Sequence, residues 1–176
     1  LTGNNSDVVI AYAANSAGTI SGLGNEAVTL ADTSITAALI TATDALTSGV
    51  VDASSVTTIT SGTAAAANTL YAANAAGTVS GLGNEAVTIS DITLAANVLN
   101  TLDGYTTGTV NASTVTTLTG AAADANTALT SDGISNLGNE AVTLSDTTLA
   151  ASVLNTLNGN TTGVVNASTV TTLTGA

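Results

Sequence analysis

Gly22-Leu23-Gly24-Asn25-Glu26-Ala27-Val28-Thr29 returns residue for residue at Gly81–Thr88. It returns again at Asn136–Thr143, with asparagine in place of the first glycine. Self-similarity at a fixed period is the signature of a stacked array, in which each unit buries its neighbour's open face. Gly49, Gly108 and Gly163 mark equivalent places in the three copies, and the second interval is slightly shorter than the first. The copies divide the chain into repeats 1–59, 60–118 and 119–176 of one continuous array. The length difference falls mainly where YAANAAGTVS (71–80) becomes LTSDGIS (129–135), a loop position by its tolerance of deletion.

Each repeat also halves. GISNLGNEAVTLSD (133–146) and GTVNASTVTTLTG (108–120) share a glycine, a short apolar step, a turn and a β-branched run. An Ala-rich stretch follows each. AVTL and TVTTLT have the residue types of strands between turns. Leu94, Val98, Leu99 and Leu102 fall on one helical face. Weaker Ala-rich helices are expected around 63–73 and 121–130. Asp32, Asp91 and Asp146 stand just before the Leu-bearing helices, where a carboxylate caps free N–H groups. The expected fold is a right-handed α/β solenoid: six coils of about 27 residues, with parallel strands about 4.8 Å apart and short helices. The alternative is a β-solenoid with little helix.

Composition narrows function. The chain has 12 acidic residues and no Lys, Arg or His, for a net charge of −12. Phosphate contacts rest mainly on Lys and Arg, so nucleic acid is not an expected partner. Apolar runs are short and broken by Thr, Asn and Gly, so no membrane insertion is expected. No cysteine is present, and no His, Cys or Lys is available as base or nucleophile. A carboxylate pair alone would have to do the work of an enzyme, and no enzyme is expected.

Gly22-Leu23-Gly24-Asn25-Glu26-Ala27 has the outline of a dinucleotide fingerprint. It precedes a strand instead of following one and opening a helix, which removes the phosphate-binding geometry. Glu26, Glu85 and Glu140 recur unchanged and admit two readings. Either they satisfy backbone N–H groups in the turn, or they hold calcium, a hard cation that prefers oxygen ligands. Calcium would also offset the uncompensated charge. Stacking would bring the three glutamates into a row about 10 Å apart. Asp52, Asn111 and Asn166, each before Ala-Ser, read as turn residues. Thr114–Thr119 and Thr169–Thr174 could form hydroxyl ranks of the kind an ice-binding solenoid presents.

LGNEAVTLSDTTLAASVLNTLNGNTTGVVNASTVTTLTGA (137–176) and TTLTGAAADANTAL (116–129) resemble tandem repeats of giant cell-surface proteins, motility- or adhesin-type, of marine cyanobacteria and related bacteria. The resemblance covers the whole chain. It implies an extracellular, cell-surface segment that forms a stalk, fibre or surface layer, associates with itself head-to-tail or laterally, and meets cell-surface polysaccharide. No cofactor is required on this reading. A calcium-dependent adhesin module is the alternative, and an ice-binding solenoid a more distant one.

Overall fold

The computed structural model describes residues 1–175. The chain is mixed α/β, with six helices among the described residues, which removes the alternative of a β-fold with little helix. In chain order the elements are β1 (Thr2–Gly3), α1 (Asn5–Ser16), β2 (Val28–Leu30), β3 (Ser34–Thr36), α2 (Ala37–Asp44), β4 (Val51–Asp52) and β5 (Thr58–Gly62). Then come α3 (Ala64–Ala76), β6 (Val79–Ser80), β7 (Ala86–Ile89), β8 (Thr93–Ala95), α4 (Ala96–Asp103), β9 (Val110–Asn111) and β10 (Thr117–Gly120). The last are α5 (Ala122–Thr130), β11 (Ile134–Ser135), β12 (Ala141–Leu144), β13 (Thr148–Ala150), α6 (Ala151–Asn160), β14 (Val165–Asn166) and β15 (Thr172–Thr174).

Every strand pairing is parallel. The sheets run β1-β2-β4-β6, β3-β5-β7-β9-β11, β8-β10-β12-β14 and β13-β15. With one exception, paired strands are three elements apart along the chain when helices are counted. The exception is β1 and β2, which have only α1 and an irregular segment between them. The sheets also share one order of strand types. SIT, TITSG, AVTI, VN and IS succeed one another in the second sheet, and TLA, TLTG, AVTL and VN in the third.

This changes the expected stacking distance. Val28 pairs with Val51, Leu94 with Leu118, and Leu149 with Leu173, each a shorter step along the chain than half a repeat. Only β1–β2 (Thr2 with Thr29), β4–β6 (Val51 with Val79) and β5–β7 (Thr58 with Ala86) take the longer step. The expected coil of uniform length is therefore corrected to a shorter step at most pairings. Two steps together fall short of one sequence repeat. Val87 pairs with Val110 and β9 with β11, so Val87 leads to Ile134 and not to its sequence equivalent Val142. Equivalent residues of successive repeats do not stack.

The core is one continuous strip, from Val8 and Tyr12 through Leu30, Ile40, Ile59 and Leu99 to Leu144 and Leu157. Its side chains are Ala, Val, Leu and Ile with two tyrosines, Tyr12 and Tyr71, and successive helices pack directly on one another.

The aspartates before β3, β8 and β13 do cap helices, but not the ones that follow them. Asn5 N donates to Asp32 (2.6 Å), Ala64 N to Asp91 (2.8 Å) and Ala122 N to Asp146 (2.8 Å). These donors are the first residues of α1, α3 and α5, each of which precedes its aspartate in the chain. Each cap thus ties together segments far apart in the chain. Asp91→Ala is expected to cost about 1 kcal/mol, as lost caps do, and to release the α3 N-terminus. Urea unfolding, with amide exchange at Ala64, checks both. α2 has its own cap, the Thr36 hydroxyl, which accepts from Leu39 N.

Candidate functional site

The repeated Gly-x-Gly-Asn-Glu turn carries a charged group in every repeat, and in the second repeat it is complete. Gly83 N donates to both carboxylate oxygens of Glu85 (3.1 and 2.9 Å), and the Tyr71 hydroxyl donates to Oε2 (2.8 Å). Glu85 is 0% exposed. A buried carboxylate is tolerable when donors surround it. Asn74, near the end of α3, clips the turn in place: its Oδ1 accepts from Leu82 N (3.2 Å) and its Nδ2 donates to Leu82 O (3.4 Å). Tyr105 stacks on the Tyr71 ring, with centroids 5.6 Å apart.

The next layer closes over this turn. The Thr106 hydroxyl donates to Glu85 O (2.7 Å) and accepts from Gly108 N (3.0 Å). Thr47 with Glu26 and Gly49, and Thr161 with Glu140 and Gly163, repeat the arrangement at the same distances. What lies on each glutamate is this Thr-x-Gly segment from further along the chain, not another glutamate. The expected glutamate row is therefore corrected to three separate turns.

The first copy keeps the fold-back. Gly24 N reaches both Glu26 oxygens (3.1 and 2.9 Å), and Asn25 N reaches Oε2 (3.2 Å). The Tyr12 hydroxyl lies beside this carboxylate but outside hydrogen-bond geometry. Its influence, against some desolvation and with help from the Gly24 and Asn25 N–H groups, holds the Glu26 carboxyl down at about 2. Burial, then the neighbouring Glu85, pushes the Tyr71 hydroxyl well above 10.

The signs of the two shifts give two stability limbs. A depressed carboxyl makes the unfolded chain bind protons first, so stability is full above about pH 4.5 and is lost as pH falls towards 2. A raised phenol acts the other way: its stability is full below pH 10 and is lost as pH rises beyond it. Denaturant midpoints across pH are expected to show both limbs. Glu26→Gln should flatten the acid one and Tyr71→Phe the alkaline one.

The third copy is incomplete. Gly138 N (2.7 Å) and Asn139 N (3.2 Å) both donate to Glu140 Oε2, while Oε1 is buried with no partner. Counting from the first residues of α3 and α5, Leu129 holds the place of Tyr71. The same deletion removed the equivalent of Asn74. Leu129→Tyr is expected to stabilise the chain by about 1 kcal/mol by giving Oε1 a hydroxyl donor; thermal unfolding beside the parent chain checks it. Asn136 keeps the left-handed backbone of the glycines it replaces (φ 66°, against 89° and 86° at Gly22 and Gly81). Asparagine is among the few side-chain-bearing residues that adopt it readily.

Of the calcium candidates, Glu26 and Glu85 therefore point both oxygens at N–H donors of their own turns, and Glu140 points Oε2 there. Among the described residues, no three acidic side chains come together as a metal-holding group. Asp52, Asn111 and Asn166 bond the turn backbone as expected, accepting from Ser54, Ser113 and Ser168 N. Threonines of the two TVTTLT segments are exposed and use their hydroxyls on backbone carbonyls: Thr114 donates to Ile89 O and Asp91 O, Thr116 to Ile92 O, and Thr169 to Leu144 O. No helix among the described residues is long and apolar enough to cross a membrane. Compared with protein families, with curated proteins and with solved structures, the chain matches none.

Proposed function

We propose that this chain is a structural spacer: a right-handed α/β solenoid segment of a large extracellular surface protein, forming a stalk, fibre or surface layer. The observation that supports it most is the pairing of elements three apart, repeated along the chain without regard to repeat boundaries. On this reading one turn holds three elements, and the stack has three sides. A repeat holds five strands and two helices, so it makes two and one-third turns. Each side passes through five strand layers and then two helix layers. Strands rise about 4.8 Å per layer and helices about 8–10 Å, so seven turns extend roughly 45 Å. Such a stack separates whatever lies at its two ends, and the turns, caps and threonine bridges tie each layer to another.

The charge supports the same role. A surface with acidic groups and no basic side chains stays solvated and repels its like. The test is a tandem chain of six repeats studied by small-angle scattering. Its length should be twice that of three repeats at an unchanged cross-section; a thicker particle, or two beads on a linker, would refute the reading. The calcium-dependent adhesin reading rests on one observation, the unpartnered Glu140 Oε1. Calorimetric titration separates the two, because a spacer needs no stoichiometric calcium site there.

A further inference from the structure

Oxidation finds few targets in this chain. Thiols and thioethers oxidise readily, but the sequence has neither Cys nor Met, and no Trp or His. Three tyrosines remain: Tyr12, Tyr71 and Tyr105. The fold separates them. Tyr12 and Tyr71 are 5% and 2% exposed, and the Tyr71 hydroxyl is held on Glu85 Oε2 (2.8 Å). Tyr105 is 37% exposed, in the loop between α4 and β9. Its ring stacks on Tyr71 with the two planes 14° apart. Its N–H donates to Leu102 O (3.0 Å), and the hydroxyl of the next residue, Thr106, is fastened to Glu85 O (2.7 Å). One face of the ring is covered, and the phenol is held in a fixed place. Counted back from Gly49 and Gly163, that place holds Leu46 in the first repeat and Asn160 in the third.

We propose that Tyr105 is a covalent cross-linking site, where a haem peroxidase with hydrogen peroxide joins two copies of this chain through a dityrosine bond. Each Tyr105 loses one electron and its phenolic proton. These reduce the peroxide: its O–O bond breaks, and one peroxide becomes two waters for each pair of tyrosines. The two ring radicals form one C–C bond between carbons ortho to the hydroxyls. The hydrogens displaced from those carbons move to the phenolic oxygens and restore both hydroxyls. The partner is Tyr105 of a second copy and not Tyr71. The new bond lies in the planes of both rings, edge to edge, whereas Tyr71 and Tyr105 meet face to face. Each chain has one coupling point, so the product is a dimer. Both copies are acidic, so added salt speeds their meeting by screening. The coupling does not depend on the spacer reading; on that reading it ties neighbouring stalks together along their sides.

Treatment of the full chain with a haem peroxidase and hydrogen peroxide tests this, read by denaturing gel, dityrosine fluorescence and mass spectrometry after cleavage at Asp and Glu. That cleavage puts Tyr12, Tyr71 and Tyr105 in separate fragments, 8–26, 53–85 and 104–124. The expected product is a covalent dimer joined through two copies of fragment 104–124. Tyr105→Phe keeps a ring on Tyr71 and should lower the dimer yield at least several-fold, while Tyr12→Phe should leave it unchanged. Leu46→Tyr sets a second phenol at an exposed position and should carry the product beyond the dimer. The proposal is overturned if no dimer forms, if the cross-link runs through 8–26 or 53–85, if Tyr105→Phe dimerises as well as the parent, or if Leu46→Tyr stops at the dimer. Failure of the spacer reading would show separately, in the tandem chain whose length does not grow with repeat number.

Discussion

Gly108→Ala is expected to destabilise the chain by about 3 kcal/mol or more, at the upper end of what an overpacked site costs. A Cβ there would lie inside the van der Waals surface of the Glu85 carbonyl and 2.8 Å from Ala86 N. Both obstacles are backbone, at the junction of the turn with β7. Relief would require β9 to move away from β7 and break the pairing of Val87 with Val110. Gly49 and Gly163 meet the same obstacle at Glu26 and Glu140, so the constraint belongs to the layer contact and not to one local accident. Gly104 is the control. Its added Cβ would lie 3.5 Å from two carbonyl oxygens, an ordinary contact, and Gly104→Ala should stay within about 1 kcal/mol of the parent. Urea unfolding of the two variants side by side decides the matter. Equal midpoints would mean that the layers are looser than their backbone distances imply.

Glu85→Ala is expected to cost about 3–5 kcal/mol. The substitution leaves the Tyr71 hydroxyl and Gly83 N without their acceptor, and each buried donor left unmatched costs about 1–3 kcal/mol. The space vacated by the side chain adds to this. Glu140→Ala should cost clearly less, because Glu140 Oε1 has no partner to lose and no tyrosine stands over it. The difference between the two, read from denaturation midpoints, measures what the tyrosine contributes. If the two cost the same, the hydroxyl contact is not what makes a buried glutamate acceptable.

These contacts explain what could be read from the chain and what could not. Local features were legible because they depend on near neighbours. AVTI and AVTL form β7 and β12, the Ala-rich stretches form α3 and α5, and Asn111 and Asn166 bond the turns beside them. The apolar spacing places Leu94 in the helix with Leu99 and Leu102, but it is the centre of β8; strand and helix abut there, and the spacing runs across the boundary. The layer step was hidden by the repeat itself. Its two halves suggest coils of half a repeat each, whereas most strands stack at a shorter step, as Leu94, Leu118 and Val142 do in turn. Nothing in the spacing says that the sequence repeat and the strand pairing are out of phase. Hence adjacency in sequence assigns Asp91 to the helix after it, whereas it serves the one before, and equal coils would set the glutamates in a row that the register does not make. The Tyr71–Glu85 contact was also invisible, since a loop and a strand stand between the two along the chain. The signal was present in one comparison: the copy that loses the tyrosine also loses the YAANAA segment.

In the proposed stack, the phase mismatch between repeat and turn has a mechanical outcome. Helical layers are nearly twice as thick as strand layers. A pile with all its helices on one side would fan open there and close into an arc. Seven elements per repeat and three per turn share no common factor, so the thick layers visit each side equally over three repeats. The pile then grows straight, and its bending stiffness is alike in every direction. Two elements added to every repeat, or one removed, would bring nine or six into step with three, fix the helices to set sides, and turn a straight beam into a bow. The awkward number of elements in the repeat is what keeps the axis true.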